Sequence, residues 1–430
     1  MTTTFTAEDA AALDGPDWLR ARRGRAAAGA ASTAMPSTDE EVWRYSRVDE
    51  LDLDRYAPIP PTGERHGEIP AGAQAVLDAV VPRAGAIVVR NGRVVHAELE
   101  ARWVDKGVRL GSADEADDEA RVGVLIGEPG DLFGLLNDAH SADPLVVVVP
   151  RGVTVDEPLV VIDWVDADGA ATFPRLVVQL GENAEATVLE HHGGDDVDAL
   201  VVPITELDVG PAARLRYLNV QERGPRTWQI ATQASRVDRD GTLVAAQAAL
   251  GGEYARTRAD CRLVGRGATG DLLAIYFGER NQTMDFRTFQ DHVAPDTTSN
   301  LLFKGALGGQ SRSVYTGLIR VRPDARGTNA FQTNRTIKLS EDAWAESVPN
   351  LEIENNDVHC SHASTVGPID EDQRFYLESR GVPPEVAEQL VVAGFFDEVL
   401  TTLPVSSVVA PLRARIVERL ERRDRVVVSS

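Results

Sequence analysis

Thiols are scarce in this chain of 430 residues: Cys261 and Cys360 are its only cysteines, 99 positions apart. That excludes a disulfide framework, and it excludes a zinc or iron-sulfur site built from this chain's thiolates alone. Lysine is scarcer still in proportion, occurring only at positions 106, 304 and 338, so arginine supplies 41 of the 44 basic side chains. Long apolar runs are missing as well. The longest purely aliphatic stretch is Leu145 to Val149, far short of a membrane span, and Met1 to Asp9 lacks the basic and apolar regions of a secretory leader. A cytoplasmic protein is expected. A formal charge of -23 repels phosphate backbones and anionic lipid, which argues against nucleic acid and membrane partners. The same excess of acid fits either a high-salt cytoplasm or the codon bias of a GC-rich genome, and both readings stay open.

What is present describes a globular chain, 43% hydrophobic and 26% charged, too long for one ordinary core. Residues 1 to about 50 read as helical, with Trp18, Leu19 and Trp43 among Ala, Arg and Asp, and breaks at Gly15-Pro16 and Met35-Pro36. Prolines and glycines from Ala57 to Gly72 predict a linker. The two β-branched runs around Asn91-Gly92 predict a hairpin over 86–95, and the acidic stretch Asp114 to Glu119 a solvated connection between domains. From about Val122 to Ile353 short alternating strands follow one another, separated by turn clusters such as Asp238-Arg239-Asp240-Gly241 and Gly308-Gly309. So many strands suit a solenoid or propeller better than one sandwich, although no fixed period stands out. Helices return after Gly367: Asp370 caps one that closes at Gly381, and Pro383-Pro384 opens the next. In the latter Val386, Leu390, Ala393, Phe396 and Leu400 form an apolar stripe, and in a last helix from about Ser407 Leu412, Ile416 and Leu420 form another. Either the protein's own body or a partner must cover them.

Several motifs carry possible chemistry. Gly265-x-Gly267-x-x-Gly270 fits a dinucleotide fingerprint on spacing, but Leu272 to Phe277 after it reads as a strand where a helix is required. No G-x-x-x-x-G-K-[ST] occurs. Neighbouring His191 and His192 point to opposite faces of a strand and cannot share an ion, so an exposed strand end is the expectation. His292 reads as structural in a polar turn, and Cys261 as a core residue. The densest cluster is Asp357-Val358-His359-Cys360-Ser361-His362. Cys360 and His362, two apart, share one face of an extended chain, as an iron or zinc ligand pair requires; a Cys/His hydrolase dyad and a polar strand end with a buried thiol are the alternatives that spacing leaves standing.

The run from Ser299 to Leu400 resembles the SufB/SufD family of iron-sulfur cluster assembly proteins. The residues that carry the likeness are Ser299 to Gly305, Ser311 to Gly317, Thr328 to Arg335, Pro349 to Ile353, Asp357 to Gly367, and Phe375-Tyr376-Leu377 with Ser379-Arg380-Gly381. Glu41-Val42-Trp43-Arg44-Tyr45 is similar to the family's Trp-Arg-Tyr element. The Cys360-Ser361-His362 form is similar to the SufD branch, and His359 departs from a position where Lys is common. The resemblance implies a right-handed parallel β-helix core over 121–358, between an N-terminal helical or mixed region over 1–120 with its Pro-rich linker and a C-terminal helical domain over 359–430. It further implies a non-catalytic scaffold subunit in complex with a SufB-like paralogue and a SufC-like ATPase, the latter on the helices from Asp370 to Leu420. His362, with Cys360 as the secondary ligand, is then expected to hold a transient iron-sulfur cluster at the SufB interface, and no ATP is expected on this chain; whether the isolated chain forms a homodimer stays open. A SufB-type paralogue is the nearest alternative and a polysaccharide-active β-helix enzyme a remote one.

Overall fold

The computed structural model describes residues 4–59, 67–127 and 129–428. The part of the expected Pro-rich linker at 60–66 therefore lies outside the described residues.

Two long sheets face each other, and from Leu145 onward the chain alternates between them, each pass adding one strand parallel to its predecessor. The result is a parallel β-solenoid of about eight turns. Registered positions Trp228, Tyr254, Thr283, Arg312 and Trp344 climb one sheet at intervals of 26, 29, 29 and 32 residues. Unequal turns explain why no fixed period is visible in the sequence. Turn residues make the corners: Asn183, Asp240, Arg280 and Asp296 all adopt positive φ, a conformation that short polar side chains tolerate best.

The ends of the solenoid differ. At the first end the strands Gly85–Arg90 and Arg93–Leu99 form the predicted hairpin, turning on Asn91 (φ 50°) and Gly92 (φ 81°), and they continue one sheet with an antiparallel edge. An antiparallel strand Arg109–Ser112 closes the other sheet in the same way. At the far end, Trp344–Ile353 and Val358–Gly367 each pair on one side only among the described residues, leaving a row of backbone groups without a strand partner there. The last strand runs to Gly367, past the expected boundary at 358/359.

The interior is aliphatic over most of its length, then aromatic, with Tyr276, Phe286, Phe303 and Tyr315 stacked at centroid distances of 4.9, 5.6 and 5.5 Å. A helix, Leu132–His140, interrupts the region read as all strand; Asp131 caps it by accepting from the Gly134 N–H. It packs on Asp17–Ser32, and the buried Arg23 ties the two together by donating to the carbonyls of Leu13, Asp14, Ser141 and Ala142. The acidic stretch is not simply solvated: Asp118 is fully buried in the 3-10 turn Ala116–Ala120, where it accepts from Arg109 and Arg121.

Helices Glu371–Glu378, Pro384–Leu400 and Val409–Val428 follow the solenoid, with Asp370 capping the first and Gly381 (φ 87°) ending it. Phe396, Leu400, Leu412, Ile416 and Leu420 bury themselves against Phe277, Ile275 and Ala306 on the outside of a sheet, so the protein's own body covers the second stripe and the C-terminal end of the first. Val386 and Leu390 do not follow. They are 42% and 50% exposed, while Ala387, Val392 and Val399 take the buried face in their place. Lys304 pins this attachment: its Nζ donates to the Phe395 carbonyl at 2.8 Å, pairs with Glu398, and lies 4.6 Å from the centroid of the Phe395 ring.

Candidate functional site

The densest chemistry sits on the last strand, at the open end. Register places Ala330 beside Cys360, Gln332 beside His362 and Asn334 beside Ser364. On the inner neighbour, Phe331 is exposed whereas Ala330, Gln332 and Asn334 are buried, which identifies the inward-facing set. Pairing without a bulge carries that alternation onto the last strand, so Cys360, His362 and Ser364 face the mouth of the solenoid, and His359 and Ser361 face away. Two residues of extended strand set Cys360 and His362 roughly 6.7 Å apart along the backbone.

Cys360 packs on Ile319, Val321, Ala325 and Ala330. Its burial pushes the thiol pKa up, against a backbone hydrogen bond involving Ala330 that lowers it. The His362 side chain is exposed and makes no hydrogen bond or ion pair with the described residues. Beside it Ser364 Oγ donates to Ser347 Oγ at 2.7 Å, and Asn334 Nδ2 donates to the same serine at 3.0 Å, joining the two sheets across the mouth. A soft sulfur and a borderline imidazole on one face are ligands that iron accepts. Among the described residues no three His, Cys, Asp or Glu side chains come together as a complete metal site. This chain thus offers a pair of donors beside a free sheet edge.

The structure separates the other histidines from this chemistry. His191 and His192 do point to opposite faces, as read from the sequence, but they are buried, not exposed. His191 pairs with Glu222 at 3.3 Å beside Arg415 of the last helix, while His192 pairs with Glu190 at 3.0 Å inside the solenoid. Desolvation raises the Glu190 pKa, yet His192, Tyr217 and Thr205 hold it below the usual carboxylate value. His292 is structural: its two ring nitrogens bond Thr297 and Ser299, both at 2.8 Å, and burial lowers its pKa to about 4. Cys261 is a core thiol pushed up to about 12 by burial. Gly265 to Gly270 runs from a turn directly into the strand Thr269–Gly278, with no helix N-terminus to receive a pyrophosphate.

Sequence reasoning did not single out Gln332, which lies beside His362. It is 1% exposed, and among the described residues neither its amide nitrogen nor its amide oxygen has a partner. Strand pairing is the signal that brings it beside His362. A second surface lies on the helices beyond, where Phe375 (70% exposed) and Tyr376 (56%) accompany Val386 and Leu390. A groove of about 1160 Å³ runs beside them, between Tyr376, Leu390 and Phe395 and the strand residues Lys304, Arg335 and Ile337.

The sequence profile described as "SUF system FeS cluster assembly, SufBD core domain" matches residues 164–395. The chain is similar to an iron-sulfur cluster assembly SufBD family protein of Mycobacterium tuberculosis, 37% identical over 283 residues, which cover 64% of this chain and 68% of that protein. It is also similar to a SufBD family protein of Staphylococcus saprophyticus, 24% identical over 406 residues, covering 91% of this chain and 87% of that one. These matches set aside the polysaccharide-active alternative. With the profile spanning more than half the chain, this protein belongs to the SufBD family of iron-sulfur cluster assembly proteins.

Proposed function

We propose that this chain is the SufD-type subunit of a scaffold that it forms with a SufB-like paralogue and a SufC-like ATPase. One observation carries the reading: Cys360 and His362 stand on the inward face of a strand whose outer edge is unpaired. An unpaired edge is a template for another strand, and two soft or borderline donors are half of the four that an iron-sulfur cluster usually takes. A partner strand laid along Val358–Gly367 brings its own thiolates to the same mouth. His362 is the primary ligand in this proposal and Cys360 the secondary one, with the cluster as cargo that is built and passed on. Two copies of the chain alone have the same edge to offer each other, which supports a homodimer when the paralogue is absent.

ATP turnover falls to the ATPase partner, since this sequence carries no phosphate-binding loop. We place that partner on the exposed apolar residues Phe375, Tyr376, Val386 and Leu390, a contiguous uncovered set of the kind that marks interfaces. The test is co-purification with SufB-like and SufC-like proteins, followed by anaerobic reconstitution. Phe375→Asp with Leu390→Asp is expected to abolish capture of the ATPase and leave the melting temperature unchanged, because neither side chain is buried. Capture at unchanged affinity refutes the placement. Point substitutions are preferable to removing 368–430, which would strip the cover from Ile275, Phe277 and Ala306.

A further inference from the structure

The amide of Gln332 is the anomaly of the solenoid mouth. Other interior amides have partners: Gln247 Nε2 donates to Thr257 at 2.9 Å, Gln290 Nε2 to Ser299 at 2.8 Å, and Asn334 Nδ2 to Ser347 at 3.0 Å. Gln332 alone, among the described residues, has both amide atoms buried and unpartnered. Leaving such atoms unpaired is unfavourable, and native chains retain the defect mainly where function uses it.

Its setting is specific. Gln332 lies in register with His362 on the adjoining strand, and its predecessor on the inward face, Ala330, lies in register with Cys360. Across the interior stands Gly317, where any Cβ would overlap the Gln332 amide nitrogen and the Tyr315 hydroxyl. Tyr315 is itself occupied with Thr288, at 3.0 Å. Glycine at 317 therefore leaves room for the amide itself, and no other described group meets that amide with a hydrogen bond.

From this geometry we infer that Gln332 is a positioning residue for the cargo held by His362 and Cys360, its Nε2–H donating a hydrogen bond to a sulfur atom bound at that strand. The inference rests on the ligand role proposed above. Amide N–H groups directed at cluster sulfur set cluster stability and potential, in the way that outer hydrogen bonds orient and tune metal ligands generally. Until sulfur is bound the donor goes unmet.

Gln332→Met keeps the volume and removes the amide, so the two roles separate by sign. In the free full-length chain it is expected to raise the melting temperature by about 1–3 °C, since an unmet polar group is replaced by an apolar one. In the reconstituted complex it is expected to cut retained iron and sulfide by at least half and to shift the visible absorbance of what remains. His362→Ala is measured in parallel. A lower melting temperature for Gln332→Met, or failure to fold, shows an amide satisfied by water or serving structure, and overturns the inference. Unchanged loading and spectrum in Gln332→Met, while His362→Ala loads nothing, overturns it and leaves the ligand role intact. Normal loading by His362→Ala removes the ligand role, and the inference falls with it.

Discussion

Lys304→Met tests how the C-terminal helices are held to the solenoid. The ammonium, 4% exposed, makes three contacts with one helix: a hydrogen bond to the Phe395 carbonyl at 2.8 Å, an ion pair with Glu398, and a position 4.6 Å from the Phe395 ring centroid. A charged hydrogen bond contributes about 1.5–3 kcal/mol, and a cation over an aromatic face about 0.5–2 kcal/mol. The ion pair adds little, since the Glu398 side chain is 56% exposed and solvent screens it. Methionine keeps the aliphatic stem and avoids burying a charge, which offsets part of the loss. The net expectation is about 2 kcal/mol, localised to the attachment of Pro384–Leu400. Urea unfolding gives the magnitude and hydrogen exchange across that helix the location. Lys304 holds the Glu398 pKa below its ordinary value. That contribution is present above the unfolded carboxylate pKa of about 4.3 and disappears as pH falls through the folded one, so the difference between variant and parent should narrow in acid. A variant as stable as the parent, with helix protection unchanged, refutes the reasoning.

Three further outcomes follow from burial and charge. A thiol reagent should label Cys360 slowly in the native chain and Cys261 only on unfolding, because Cys261 is 1% exposed with its pKa pushed to about 12; rapid modification of both contradicts the packing. His140 and His292 are each held neutral by burial, at about 4, so the unfolded chain binds more protons between about pH 6.5 and pH 4 and stability should fall across that window; His292→Gln should flatten the fall, and an unchanged pH profile contradicts it. With a formal charge of -23, melting temperature should rise with KCl toward molar concentration, where the screening length shrinks to about 3 Å; a flat or falling trend favours codon bias as the origin of the composition.

Local rules were legible in the sequence where the structure follows them locally. Asn91-Gly92 forms its turn, Asp370 caps its helix, and strand alternation survives at Ile319 and Val321, both buried on either side of the half-buried Arg320. The solenoid repeat was hidden because turns of 26 to 32 residues have no common period. Pro384–Leu400 is apolar around much of its circumference, so spacing alone allowed the stripe through Val386 and Leu390 as readily as the buried face through Val392 and Val399. His191 and His192 look exposed beside Gly193-Gly194, yet the fold buries both: Glu222 reaches His191 from the neighbouring strand, while Glu190 lies two residues from His192 on the same face of their own strand. Cys360 and His362 were visible as a pair by their spacing. Gln332 was not, since it lies 30 positions from His362 and meets it only through strand register.

The account turns on His362. The decisive measurement is iron and acid-labile sulfide per complex after anaerobic reconstitution with the SufB-like and SufC-like partners, comparing His362→Ala and Cys360→Ser with the parent. His362 is exposed and fills no core volume, so its replacement should leave the melting curve and the assembly of the complex intact while cluster content falls to background. Cys360→Ser should lose less, as befits a secondary ligand. Normal iron and sulfide in His362→Ala, with normal maturation of a client apoprotein, would contradict the account and return His362 to an ordinary polar residue at a strand edge.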